Sequence, residues 1–161
     1  MKKLIREYAY IPITLIAAWL LFAKVVVIGY IPTASMEPNY MAGSVFVGLR
    51  ILDRDNIERG TPVLFHFGNV IYVKRAIGLS GDTVSFADGF VYINGTVLDE
   101  TEYLNASVRT ESDTETFSVP YGCYLMLGDN RSVSYDAGYW PDPYTPSEDI
   151  VGRILFSVRV K

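Results

Sequence analysis

The sequence predicts a mostly β protein built of antiparallel hairpins behind one N-terminal transmembrane helix, and three observations carry that prediction. Beyond residue 40 the apolar side chains recur with period two in runs rich in Val, Ile, Phe and Tyr. Asp88-Gly89 and Asn94-Gly95 separate such runs as two-residue hairpin turns, with Gly68-Asn69 a weaker third. Ahead of the body, residues 11–31 read I-P-I-T-L-I-A-A-W-L-L-F-A-K-V-V-V-I-G-Y-I. About 20 helical residues at ~1.5 Å each cross a ~30 Å hydrocarbon core.

Three segments follow: a basic flank at 1–10, a transmembrane anchor at 11–31 and a β body at 32–161. Lys2, Lys3 and Arg6 precede the anchor, and no basic residue follows Lys24 until Arg50. The excess of basic charge before the span puts the N-terminus in the cytoplasm and the body outside the cytoplasmic membrane. A cleaved signal peptide would need small residues at the −3 and −1 positions, where Pro32 and Ala34 make a poor site. In the body the expected strands are 44–52, 61–67, 70–77, 82–87, 90–93, 96–98, 116–119, 123–128 and 150–160. Residues 99–116 are acidic and lack a strand or helix period, which predicts an exposed, solvated excursion. The proline- and aromatic-rich stretch at 139–146 reads as a stiff loop.

Composition excludes several function classes. The 161 residues are 50% apolar and 14% aromatic, enough for one core, with a formal net charge of −4. Lys2, Lys3, Arg6 and Lys24 all fall within the first 31 residues, so the body is more acidic than the whole, unlike a nucleic-acid binder. The single Cys123 allows no intrachain disulfide and no cysteine-rich zinc site, and the single His66 no histidine-clustered metal centre. No metal or cofactor is expected.

Three stretches supply polar groups within apolar surroundings: P-T-A-S-M-E-P at 32–38, Y-V-K-R-A-I-G-L-S-G-D at 72–82, and L-G-D-N-R-S-V-S-Y-D-A-G-Y-W at 127–140. Ser35 sits in an irregular segment between prolines, where a hydroxyl can project toward a cleft, although isolated loop serines are common. Strand alternation sends Tyr72, Lys74 and Ala76 to one face and Val73, Arg75 and Ile77 to the other, so one of two adjacent cations faces inward or across a cleft. Desolvation lowers a lysine pKa, and a neutral amine can take a serine proton. Taken locally, exposed charges on an edge strand are the simpler explanation of Lys74 and Arg75.

In order, these stretches resemble the boxes of the type I signal peptidases. Residues 33–38 resemble the nucleophile box S-x-S-M-x-P, with Ser35 at the nucleophile position and Thr33 at the preceding hydroxyl. Residues 72–84 resemble the lysine box, with Lys74 as general base. Residues 128–140 resemble the G-D-N-R-x-x-S-x-D box, with Ser134 and Asp136 at its hydroxyl and acid positions. The resemblance implies a signal-peptidase-like antiparallel β body and a monomeric, membrane-anchored serine endopeptidase. Its partners would be the signal peptides of exported preproteins and the lipid bilayer. It further implies that Ser134 orients Lys74, that Thr33 and the Ser35 N–H hold an oxyanion, and that Asp129, Asn130, Arg131 and Asp136 brace the site. Ala34, Met36, Ile71 and Tyr72 flank the implied nucleophile and base and are the candidates for substrate binding.

The match has departures. Thr61 stands where the family carries an acid, Ser80 replaces the proline of a P-G-D turn, Gly138 replaces a basic residue after Asp136, and Asn39-Tyr40 replaces a T-L pair. Three other readings compete. A noncatalytic anchored β domain that binds a surface or pilus partner would need neither Ser35 nor Lys74. A Ser–His–Asp hydrolase would have only His66, whose place in V-L-F-H-F suggests a structural imidazole. Self-cleaving repressor-type peptidases share Ser/Lys chemistry but lack an anchor.

Overall fold

The computed structural model describes residue 8 and residues 10–110 and 116–159. Lys2, Lys3 and Arg6, which carry the expected orientation, lie outside them, as do positions 111–115 of the acidic stretch. Helix α1 (Tyr10–Val25) runs through the leucine- and alanine-rich half of the apolar run. Its 16 residues rise about 24 Å. Among the described residues no helix is long and apolar enough to cross a membrane. The rest of the run, V-V-I-G-Y-I, is not helix but strand β1 (Val26–Ile31), which corrects the expected 11–31 helix. Its β-branched residues favour the pleated backbone. Gly29 lets β1 lie under an aromatic ring, since a Cβ there would come within 2.5 Å of Phe46.

Ten more strands follow: β2 (Ser44–Arg50), β3 (Pro62–Phe67), β4 (Val70–Gly78), β5 (Thr83–Ala87), β6 (Phe90–Ile93), β7 (Thr96–Val97), β8 (Thr116–Ser118), β9 (Cys123–Leu127), β10 (Tyr144–Pro146) and β11 (Ile150–Arg159). They form a seven-stranded sheet in the order β1-β2-β11-β3-β4-β9-β10 and a four-stranded sheet in the order β7-β6-β5-β8. Every pairing is antiparallel. Asp88-Gly89 and Asn94-Gly95 take positive φ at both positions, between β5 and β6 and between β6 and β7. That backbone matches the twist of a two-residue hairpin. β10 lies inside the stretch expected to be only loop, where Tyr144–Pro146 pairs with β9 at the sheet edge. A proline there leaves no ladder donor missing on the paired interior.

Two apolar clusters hold the sheets. The larger joins Phe65, Ala76, Ile77, Leu125, Met126 and Leu127 of the large sheet to Val84, Phe86, Val91 and Phe117 of the small one. The smaller, Ile31, Phe46, Leu64, Val151 and Ile154, lies where β1, β2, β3 and β11 meet. β4 is paired with β3 over Val70–Arg75 and with β9 over Arg75–Gly78, so it is interior only where the two pairings meet. Lys74 and Arg75 are 1% and 6% exposed, so neither is the edge charge that its local sequence allows. The acidic stretch is mostly exposed, yet Leu104 is buried and Glu100 and Tyr103 are half-buried, which corrects the expectation of a wholly solvated excursion.

Candidate active site

The chain leaves β1 through Pro32 and makes one 3-10 turn, Ala34–Met36, that carries Ser35. Met36 pins the turn, being 1% exposed. The turn is held from the segment after β9: Asn130 donates its backbone N–H to the Ser35 carbonyl at 3.0 Å and its Nδ2 to the Ala34 carbonyl at 3.2 Å. Thr33 Oγ1 lies 3.4 Å from Ser35 Oγ. The turn also packs against β4, the strand of Lys74.

Lys74 Nζ donates to Ser134 Oγ at 2.7 Å. Burial drives the lysine pKa down to about 8, and the charges of Asp136 and Asp129 oppose that shift only in part. Ser134 follows Asn130 by one turn, its N–H donating to the Asn130 carbonyl at 2.8 Å. Gly128 is where the first and third boxes meet. A Cβ there would meet Ser134 Oγ at 2.2 Å and the Ser35 carbonyl oxygen at 2.5 Å, so only glycine lets these groups approach. Asp136 accepts the Gly128 N–H at 2.8 Å and the Gly138 N–H at 3.4 Å. Its carboxylate thus orders backbone around the lysine.

Arg75, on the opposite face of β4, donates Nε to Asp129 Oδ1 at 2.8 Å, with a second short bond from Nη2 to Oδ2. Its guanidinium also donates to the Gly60 carbonyl at 2.6 Å and lies over the Tyr103 ring at 4.0 Å. Asn39, one of the departures, is employed here: Nδ2 donates to Asp129 Oδ2 at 2.8 Å and to the Tyr103 carbonyl at 2.7 Å. Ser80 Oγ accepts the Gly122 N–H at 2.9 Å, which ties the altered turn to β9's approach.

A cavity of about 320 Å³ opens beside Ser35. Thr33, Ser35, Met36, Ile71 and Tyr72 line it; Ala34 is not among its lining residues. Its far wall is β1, with Ile28, Gly29 and Tyr30, and its floor includes Phe46 and Leu64. Sequence reading missed that wall because a wholly apolar stretch after a helix carries no period-two signal. His66 lies on β3, as its sequence position suggests, exposed and opposite Ile71. Among the described residues no cluster of His, Cys, Asp and Glu could hold a metal ion.

Comparison with known proteins places the chain among relatives of one family. The family described as signal peptidase, peptidase S26, matches residues 4–159. Signal peptidase IB of Staphylococcus aureus (strain COL) is 33% identical over 97% of this chain and 90% of its own length. The "Probable signal peptidase I-2" of Synechocystis sp. is 38% identical over 77% of this chain. This chain spans 59% of that relative's length and 65% of signal peptidase I of Leptolyngbya laminosa. The crystal structure of a signal peptidase I from Enterococcus faecalis V583 superposes with a TM-score of 0.51 at 27% identity, covering 61% of this chain and 96% of that one. A mostly β antiparallel body and a match over nearly the whole length lead to one assignment: the chain belongs to the signal peptidases, peptidase family S26.

Proposed function

We propose that the protein is a membrane-anchored serine endopeptidase that removes signal peptides from exported preproteins with a Ser35/Lys74 dyad. The observation that carries this reading is the buried Lys74, held by a neutral hydroxyl and with a pKa of about 8. A general base is most effective when its pKa lies near the working pH. Neutral Lys74 takes the Ser35 hydroxyl proton as Oγ attacks the scissile carbonyl. The tetrahedral oxyanion is held by the Ser35 N–H and the Thr33 hydroxyl. The Lys74 ammonium then protonates the leaving amine, and the same amine activates the water that hydrolyses the acyl-enzyme. Ser134 keeps the Nζ lone pair aimed at Ser35, while Asp136, Asn130 and Arg131 hold the backbone that presents it.

The substrate reading rests on two open edges. β1 ends the large sheet, and β9 pairs with β4 only from Arg75 onward, so Val70–Lys74 has no strand on that side. Both edges line the same cavity. An extended peptide laid between them gains main-chain hydrogen bonds, and pockets beneath alternate residues select its side chains. The apolar lining, with Ile28, Phe46, Leu64 and Met36, favours small aliphatic residues at the −3 and −1 positions, on the N-terminal side of the scissile bond. The exposed apolar helix α1 would anchor the body at the extracytoplasmic face of the cytoplasmic membrane.

The test is cleavage of a panel of exported precursors by the purified full chain in detergent, with N-terminal sequencing of the products. Wild-type protein is expected to cut after a small residue, and Ser35→Ala to be folded and inert. A folded Ser35→Ala protein that cuts as fast as wild type would refute the dyad.

A further inference from the structure

The acidic stretch does more than cover the small sheet. Glu100 Oε2 accepts from Arg131 Nη1 at 2.9 Å, and Oε1 accepts a short bond from Nη2. The pair is withdrawn from water, with 2% of the Arg131 side chain exposed and 13% of that of Glu100. Arg131 in turn donates Nε to the Gly128 carbonyl at 2.9 Å and Nη1 to Thr110 Oγ1 at 2.6 Å. Glu100 Oε1 also accepts from the Tyr103 hydroxyl at 2.9 Å, whose ring supports Arg75 and whose carbonyl accepts from Asn39. One carboxylate therefore reaches both Gly128, where Ser35 and Ser134 meet, and the Arg75–Asp129 pair behind the lysine strand.

We infer that Glu100 is a positioning residue for the dyad, acting through Arg131 on the Gly128 carbonyl and so on the spacing of Ser35, Ser134 and Lys74. This inference rests on the reading of the site as a Ser/Lys peptidase. An exposed surface pair would contribute little. A buried guanidinium that loses its carboxylate must shift or find water, and the peptide it holds moves with it. Displacements of about 1 Å remote from the chemistry can lower turnover on the order of 10²-fold.

The experiment measures kcat and KM on one precursor peptide for wild type, Ser35→Ala, Glu100→Gln, Glu100→Asp, Arg131→Lys and the double variant Glu100→Gln/Arg131→Lys, at a temperature where circular dichroism shows each folded. Glu100→Gln should lower kcat about tenfold or more with KM within about twofold. Glu100→Asp should restore part of that loss. The double variant should be no slower than the slower single variant, because both changes cut one chain of contacts. Wild-type kcat in folded Glu100→Gln, or strictly multiplicative losses in the double variant, would overturn the positioning role and leave the dyad standing. Should Glu100→Gln fail to fold, wild-type kcat in Glu100→Asp together with a full loss in Arg131→Lys would overturn it as well. An inactive wild type or an active Ser35→Ala would instead refute the dyad, and this inference with it.

Discussion

Lys74 and Arg75 are neighbours on β4, equally withdrawn from water, and the two faces of the strand treat them in opposite ways. Arg75 meets both oxygens of Asp129, the Gly60 carbonyl and the Tyr103 ring, so its charge is matched on every side. Lys74 meets a neutral hydroxyl, and the carboxylates of Asp136 and Asp129 only partly offset its desolvation. A guanidinium stays protonated in proteins, whereas an ammonium deprived of water gives up its proton readily. One face therefore keeps a charge for structure, and the other holds an amine that is more readily neutral, as the proposed base requires.

Breaking the reactive face should produce the largest effect. Lys74→Ala and Lys74→Arg should each lower kcat by on the order of 10⁴-fold or more, as loss of one member of an interdependent dyad does. Arginine at 74 retains charge and bulk but cannot accept the Ser35 proton. Single-turnover cleavage by either variant at near-wild-type rate would show that the base lies elsewhere.

Breaking the structural face should be felt in stability. Arg75→Met leaves the Asp129 side chain, 0% exposed, without its cation. The expected loss is about 3–5 kcal/mol, read from urea unfolding of the detergent-solubilised chain. A loss below about 1 kcal/mol would mean that Asn39 and water suffice for Asp129.

The two faces also differ in sign. The Lys74 pKa is about 8 in the folded chain against an ordinary 10.5, so between those values the unfolded chain binds more protons and stability rises with pH. Below pH 8 the full cost of the buried ammonium is present. Lys74→Met should therefore be more stable than wild type by on the order of 1–3 kcal/mol near pH 7. The gap should close as pH approaches 10.5. A gap that widens with pH would contradict the depressed pKa. The smallest effect belongs to His66→Ala, which should leave kcat within about twofold because the imidazole is exposed on β3.

How much of this was legible in the sequence varies with the reach of each contact. The hairpins of the small sheet follow from period-two runs broken by Asp-Gly and Asn-Gly, a wholly local code. β1 was illegible, since V-V-I-G-Y-I continues an apolar helix without a break and becomes a strand only by pairing with β2. The same pairing turns an expected membrane segment into a wall of the cavity. Tyr144–Pro146 was hidden by its prolines, which an edge position tolerates. At the site, Ser35, Lys74, Ser134 and Asp136 were recognised as a set by their order along the chain. The burial of Lys74 was not, because it depends on β3 pairing beside it and on the segment after β9 that brings Ser134 to its amine. Glu100 had no signal at all: its partner Arg131 lies 31 positions away, and a Glu in an acidic stretch resembles every other solvated one.

The pH dependence of kcat/KM tests the central claim, that a desolvated Lys74 is the base, most directly, because this ratio reports the pKa of essential groups in the free enzyme. With one precursor peptide, the ratio should climb with unit slope, bend near pH 8 and reach a plateau above it. A bend near pH 6.5, the ordinary range of an imidazole, or a rate that does not change between about pH 6 and 10 would contradict it.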